Sequence, residues 1–194
     1  PIKSYLSYTL PVVGAGWIIA LTGLIDDVKE LSAKKKMIGI LLAASLVWFL
    51  TDFRLNDFKI PFGGPLLHFE PWLSYLLTVI WIVAITNAVN LIDGLDGLVS
   101  GVSIISLVTM GIVSYFFLPV PNLFLTMTIF VLVASIAGFF PFNYHPAILY
   151  LGDTGALFIG FMISVLSLQG LKNATAVAVV TPMIILGVPI TDTF

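Results

Sequence analysis

Asp26 and Asp27 stand side by side straight after an apolar run, and Asp93-Gly-Leu-Asp96 sets two carboxylates three residues apart. Such a spacing makes them neighbours on one face if the segment is helical. Asp153 sits in Leu-Gly-Asp-Thr-Gly, a turn-like setting flanked by glycines. Carboxylates that gather without matching cations repel one another, and a hard cation sharing the site makes them tolerable. Oxygen donors, two histidines and no cysteine favour Mg²⁺, or Mn²⁺, over zinc. Mg²⁺ usually comes with substrate phosphates. Lys29 and the run Lys34, Lys35, Lys36 could then hold a phosphate, on a soluble substrate or a lipid headgroup. Simpler roles compete. A single aspartate at a span end is ordinarily a solvated or capping residue, as Asp52 and Asp57 are read here. Lysines beside a membrane helix also snorkel to the headgroups.

These residues must be positioned by membrane helices. Of the 194 residues 59% are hydrophobic and 9% charged, with a net charge of −2 and a mean hydropathy of +1.12. A soluble domain carries roughly 25% charged residues. The composition excludes a soluble globular domain, a disordered chain and a nucleic-acid binder with a basic surface. Without cysteine there are no disulfides, thiolate metal sites or cysteine nucleophiles. The expected fold class is all-α, a polytopic membrane bundle of about seven spans. They are placed at 8–25, 33–51, 73–92, 98–118, 123–141, 155–170 and 174–190. The runs are continuously apolar rather than alternating, which argues against a strand barrel. Residues 52–72 read as a small surface β-hairpin around Gly63-Gly64. Ser32 is a candidate N-cap, and Pro182 should kink the last span. The chain reads as one integral membrane domain over 1–194. Its start at Pro1 and end at Phe194 suggest an internal fragment of a longer protein.

Counting crossings gives the charges an address. With seven spans, Asp26, Asp27, Glu30, Asp93, Asp96, Asp153 and Asp192 share one face, seven of the ten acidic residues. Asp52, Asp57 and Glu70 fall on the other. Lysines and arginines divide four against four between the faces, but Lys29, Lys34, Lys35 and Lys36 are the densest group. The positive-inside rule therefore leans to the cytoplasm for the acidic face. An ion-coupled transporter is the rival class, and it would place ionisable residues within spans near the midplane. The middles of all seven candidate spans lack them. A structural or assembly subunit is a third class, and it gives no reason for repeated Asp-Gly settings on one face.

Four blocks, GLIDDVKEL (23–31), NAVNLIDGLDGL (87–98), PFNYHPAILYLGDTGALFIGF (141–161) and PITDT (189–193), carry a resemblance. The chain resembles the polyprenyl-phosphate N-acetylhexosamine-1-phosphate transferases. The resemblance covers essentially the whole chain. It implies Mg²⁺-dependent transfer of a sugar 1-phosphate from a UDP-sugar to a polyprenyl phosphate, releasing UMP, at the cytoplasmic face of a bacterial plasma membrane. Ile92, where the muramoyl-pentapeptide branch usually has Thr, favours the N-acetylglucosamine-1-phosphate branch. LGDTGALFIGFMISVLSLQGLKN and ILGVPITDT look like the enzymes that start wall teichoic acid synthesis on undecaprenyl phosphate. The alternative donor is UDP-MurNAc-pentapeptide.

Residue by residue, the resemblance implies that Asp153 and Asn90 hold the metal. Asp26 and Asp27 match an acidic pair implicated in metal use and catalysis. Asp93 and Asp96 match positions implicated in nucleotide binding and turnover. Tyr150 falls where relatives stack an aromatic ring on uracil, and Asn143 at another nucleoside-side position. Tyr150 could also be a belt aromatic and Asn143 a turn residue. His68 and His145 match no role and are read as loop residues. The Gly155-Ala156 pair replaces the commoner Gly-Ser. A His-rich loop that separates sugar specificities is expected beyond Phe194. The implied partners are the UDP-sugar, the polyprenyl phosphate and membrane lipids, with no nucleic acid. The oligomeric state is left open.

Overall fold

A computed structural model describes residues 2–59, 66–116 and 123–171. The chain runs α1 (Ile2–Lys29), α2 (Ala33–Leu50), β1 (Asp57–Lys59), β2 (Leu66–His68), α3 (Pro71–Leu91), α4 (Leu98–Phe116), α5 (Leu123–Asn143) and α6 (Gly152–Leu171). Five of these helices are long and apolar enough to cross a membrane: Thr9–Lys29 of α1, then α3, α4, α5 and Gly152–Gln169 of α6. The helix α2 has 18 residues, about 27 Å of rise, but opens with Lys34, Lys35 and Lys36. The span placed at 174–190, with Pro182 and Asp192, lies outside the described residues.

β1 and β2 pair antiparallel, with Asp57 opposite His68 and Lys59 opposite Leu66. The Asp57 carboxylate meets His68 Nδ1 at 2.5 Å across the pair. Residues 60–65 between them are outside the described set.

α6 is the central helix. It packs against α1 and α3, while α4 pairs with α5 and α2 bridges α1 and α3. Two apolar cores meet on it. Leu157, Phe161, Val165 and Leu168 face a core with Ala15, Ile19, Ala43, Ala44, Val47 and Ile82. Ile159, Ile163 and Leu166 face the other, with Val89, Leu107, Leu125 and Ile129. The first set recurs every three or four residues and the second interleaves with it, so α6 is apolar all round. That is the pattern of an enclosed helix. It is 67% buried over its spanning window, against 22–44% for the other four spans. Outward, Trp17, Leu21, Leu24 and Val28 on α1 are exposed. These residues suit acyl chains rather than water.

Two glycines let α6 sit this close. A Cβ at Gly23 would lie 2.5 Å from the Thr154 Cα, and one at Gly160 would lie 2.9 Å from the Thr86 Cα. Backbone contact with α1 and α3 therefore fixes where the first turn of α6 lies.

Candidate active site

The α1–α2 corner is wound around Asp26. α1 stops at Glu30, whose φ of 47° leaves the helical region. Asp26 Oδ1 accepts the Leu31 N–H at 2.6 Å, which ties the turn to the helix end. Ser32 is the N-cap of α2 as expected, although its side chain makes no capping hydrogen bond. Its carbonyl instead accepts the Lys35 and Lys36 N–H groups. The sharp turn brings Lys36 back over the buried Asp26 carboxylate, with which it forms an ion pair. The same ammonium lies 3.2 Å from Asp153 Oδ2. Lys29, Lys34 and Lys35 point outward and are exposed.

Asp27 caps the N-terminus of α6, 126 residues away. Its Oδ1 accepts the Asp153 N–H at 2.7 Å, and its Oδ2 accepts the Thr154 N–H at 3.1 Å and the Thr154 hydroxyl at 2.5 Å. A carboxylate there satisfies otherwise orphaned helix-end donors and complements the helix dipole. This explains why α6 begins at Gly152 rather than at 155. Gly152 turns at φ 62°, and a Cβ there would press on the Asp27 carboxylate at 3.0 Å.

On the far side of Asp153, Asn90 at the end of α3 donates Nδ2–H to Asp153 Oδ1. α3 ends at Leu91, and residues 92–97 form a turn rather than a helix. The segment is not helical, so the condition for Asp93 and Asp96 to share a helical face is not met: the chain turns through Gly94 and Gly97, the latter at φ 74°, and the two carboxylates part, though both stay at this end of the bundle. Asp93 faces the cluster. Partial burial and then the charges of Asp153 and Asp27 push its carboxyl up to about 6. Asp96 instead faces the α5–α6 connection, where its Oδ2 accepts the Ala147 N–H at 3.1 Å and meets His145 Nδ1 at 3.0 Å. Those two contacts hold the Asp96 carboxyl below its ordinary range, the Ala147 N–H most strongly.

The connection itself is tied at its root by Asn143. This residue is buried, accepts the Ser100 hydroxyl at 2.7 Å through Oδ1, and donates Nδ2–H to the Leu149 carbonyl at 3.0 Å. Its amide atoms therefore brace the loop against α4. Tyr150, three residues before Asp153, stands 72% exposed at the rim.

One end of the bundle thus collects Asp26, Asp27, Lys36, Asn90, Asp93 and Asp153, with Asp96, His145 and Tyr150 on its rim. The helices alternate in direction, so the ends of α1, α3 and α5 and the starts of α2, α4 and α6 meet there. Asp52, Asp57 and Glu70 lie on the α2–α3 connection at the opposite end. The sequence pattern does not mark Thr154, Gly23, Gly152, Ser100 or His145 as site residues. The Asp-Thr-Gly context of residue 153 is the signal for Thr154, since Thr and Asp favour helix starts.

The donors suit a hard cation. Asp26 and Asp153 already clasp a positive charge, the Lys36 ammonium, and Asn90 adds an amide. Among the described residues no three His, Asp or Glu side chains form a metal-holding group. A divalent cation here would need oxygens from a phosphate or water to complete its shell.

The sequence model of a family described as "Glycosyl transferase family 4" matches residues 9–171. A Bacillus subtilis (strain 168) protein named "Probable undecaprenyl-phosphate N-acetylglucosaminyl 1-phosphate transferase" is 46% identical over 187 residues, 95% of this chain and 50% of that protein. A Staphylococcus saprophyticus protein named "Phospho-N-acetylmuramoyl-pentapeptide-transferase" is 38% identical over 162 residues, 77% of this chain and 49% of its own length. A Streptococcus agalactiae protein of the same name is 30% identical over 171 residues, 84% of this chain and 50% of its own. The chain spans about half the length of these curated relatives.

Proposed function

The chain belongs to glycosyl transferase family 4, and on that premise we propose that it carries the reaction centre of an N-acetylglucosamine-1-phosphate transferase acting on undecaprenyl phosphate. The donor is a UDP-sugar, UMP leaves, and the product starts a cell-wall polymer such as wall teichoic acid. The name of the Bacillus subtilis relative favours this donor over UDP-MurNAc-pentapeptide. The observation that carries the proposal is the Asp26–Lys36–Asp153–Asn90 cluster at one end of a bundle of apolar helices. It offers carboxylates and an ammonium where a soluble diphosphate and a lipid phosphate can meet. The dense group Lys29, Lys34, Lys35 and Lys36 at this end supports a cytoplasmic placement of this face on a bacterial plasma membrane.

In the proposed step a lipid phosphate oxygen attacks the β-phosphorus of the UDP-sugar. An O–P bond forms, the P–O bond to UMP breaks, and UMP leaves with the electron pair. The lipid phosphate is already largely ionised near neutral pH, so a strong general base is not required. The main barrier is bringing anions together. Mg²⁺ (or Mn²⁺) held by Asp153 with Asn90, beside Asp26, would offset charge on the diphosphate and orient it. Asp27 holds the first turn of α6 and with it Asp153. Lys36 supplies a positive charge inside the site, and Lys29, Lys34 and Lys35 attract anionic headgroups from outside it. Tyr150 provides a stacking surface for the uracil, with Asn143 and Asp96 shaping the loop that carries it. Asp93 lies beside the diphosphate.

The test is lipid-linked product formation by the intact protein in membranes supplied with labelled UDP-N-acetylglucosamine and Mg²⁺. Asp153→Asn should insert and fold normally yet lose UMP release by at least 100-fold. Near-normal turnover would remove Asp153 from the cation site. Product from UDP-MurNAc-pentapeptide alone would reassign the donor.

A further inference from the structure

The position of Lys36 has a consequence for how the site takes up a cation. Its ammonium lies between the two carboxylates whose chemistry best suits a divalent ion, touching Asp26 and lying 3.2 Å from Asp153. It is 19% exposed, and Asp26 is 5% exposed. A divalent ion with the same two carboxylates as ligands must occupy nearly the same volume. Ammonium and metal ion are both positive, so they cannot share that volume.

We propose that Lys36 is a placeholder cation, which holds Asp26 and Asp153 together until a divalent ion displaces it and then turns to the incoming phosphate. This rests on the phosphotransferase reading of the site and deepens it. Three further features support the exchange. The surroundings are acidic: Asp27 and Asp93 flank the pair, and the charges of Asp153 and Asp27 add to partial burial in disfavouring ionisation of Asp93. Two buried or half-buried carboxylates with no cation between them would repel across a gap of low dielectric. The lysine stem is long and flexible, so the charge can swing aside without moving α2. The backbone at the site has no such freedom, because Asp27 and Gly23 fix the start of α6. Release of the ammonium then couples the two substrates of the site, since cation entry frees a positive charge for phosphate.

The experiment measures Mn²⁺ binding to the intact protein without substrate, by electron paramagnetic resonance of free Mn²⁺, alongside Mn²⁺-induced thermal shifts. Wild type, Lys36→Gln and Lys36→Arg are compared. Lys36→Gln keeps the stem and removes the competing charge. It should bind Mn²⁺ at least tenfold more tightly and show a larger thermal shift, while donor turnover falls. Lys36→Arg should bind like wild type or more weakly. If Lys36→Gln folds only with Mn²⁺ present, its rescue by the ion supports the exchange as well. Equal or weaker Mn²⁺ affinity in a folded Lys36→Gln protein overturns the placeholder and leaves the cation site standing. No saturable binding by any of the three overturns the cation site and the placeholder together, and the assay with Asp153→Asn then shows whether the transfer reading survives.

Discussion

Gly23→Ala tests the claim that α6 is seated by backbone contact with α1. The added Cβ would lie 2.5 Å from the Thr154 Cα, 2.7 Å from its nitrogen and 2.8 Å from the Asp153 carbonyl oxygen. Ordinary contact begins near 3.4 Å, so the helices must part by about 0.9 Å. All three atoms are backbone, and no side chain can swing away to relieve the clash. Overpacking of this sort costs about 1–3 kcal/mol. Replacing glycine by alanine within a helix returns about 0.5–1 kcal/mol. The net loss of stability is therefore small, about 1 kcal/mol. Activity should suffer more. The clash falls on the residues that Asp27 caps, and moving Asp153 by nearly 1 Å from Asp26 and Asn90 should lower turnover by about 100-fold. The assays are thermal unfolding and transfer of labelled sugar phosphate into the lipid extract by the intact protein. Gly14→Ala on the same helix, where a Cβ meets nothing within 4 Å, is the control. It should be neutral or slightly stabilising. A Gly23→Ala protein with more than half of wild-type turnover would refute the seating argument. An equal loss in Gly14→Ala would show that any substitution in α1 has this effect.

Three further outcomes are expected. Asp27→Ala removes the acceptor for two N–H groups and a hydroxyl at the α6 start, and should cost about 1–2 kcal/mol in unfolding, with Asp27→Asn costing less. Asp93 has its carboxyl raised to about 6, so the folded protein binds more protons there than the unfolded chain between pH 3.8 and 6. Stability from this group is present at low pH and is lost as pH rises through about 6; Asp93→Asn should therefore raise the melting temperature at pH 7 and leave it unchanged near pH 4. His145→Ala should leave the Asp96–Ala147 hydrogen bond in place and change turnover by less than threefold, whereas Asp96→Ala, which removes both loop contacts, should raise the KM for the UDP-sugar.

Much of this architecture is legible in the residues. Unbroken apolar runs place the helices because a membrane core satisfies no backbone group that a helix leaves unpaired. The starts and ends are less legible. α1 runs four residues past 25 and carries Asp26 and Asp27 in its last turns, since a hydropathy boundary marks where charge begins and not where hydrogen bonding stops. α3 starts at Pro71, two residues early, because proline at the first helical position needs no N–H partner. The spacing of Asp93 and Asp96 suggests one shared face, and two glycines decide against it.

The sequence alone determines that this is a membrane-spanning helical chain and that most of its carboxylates lie at helix ends on one side. The helix-end placement follows from the cost of putting charge into hydrocarbon, and the shared side from counting crossings. What each carboxylate does was decided only in three dimensions. Adjacent Asp26 and Asp27 are chemically identical, yet one is buried against Lys36 and the other caps a helix 126 residues away. Among four clustered basic residues, Lys36 alone turns inward, because the Glu30 turn aims it there. Those assignments depend on backbone contacts at Gly23 and Gly160, set by the packing of α6 between α1 and α3, and on the Asp27 carboxylate seated against Gly152. A linear pattern carries the charge of a residue but not the partner that packing brings to it.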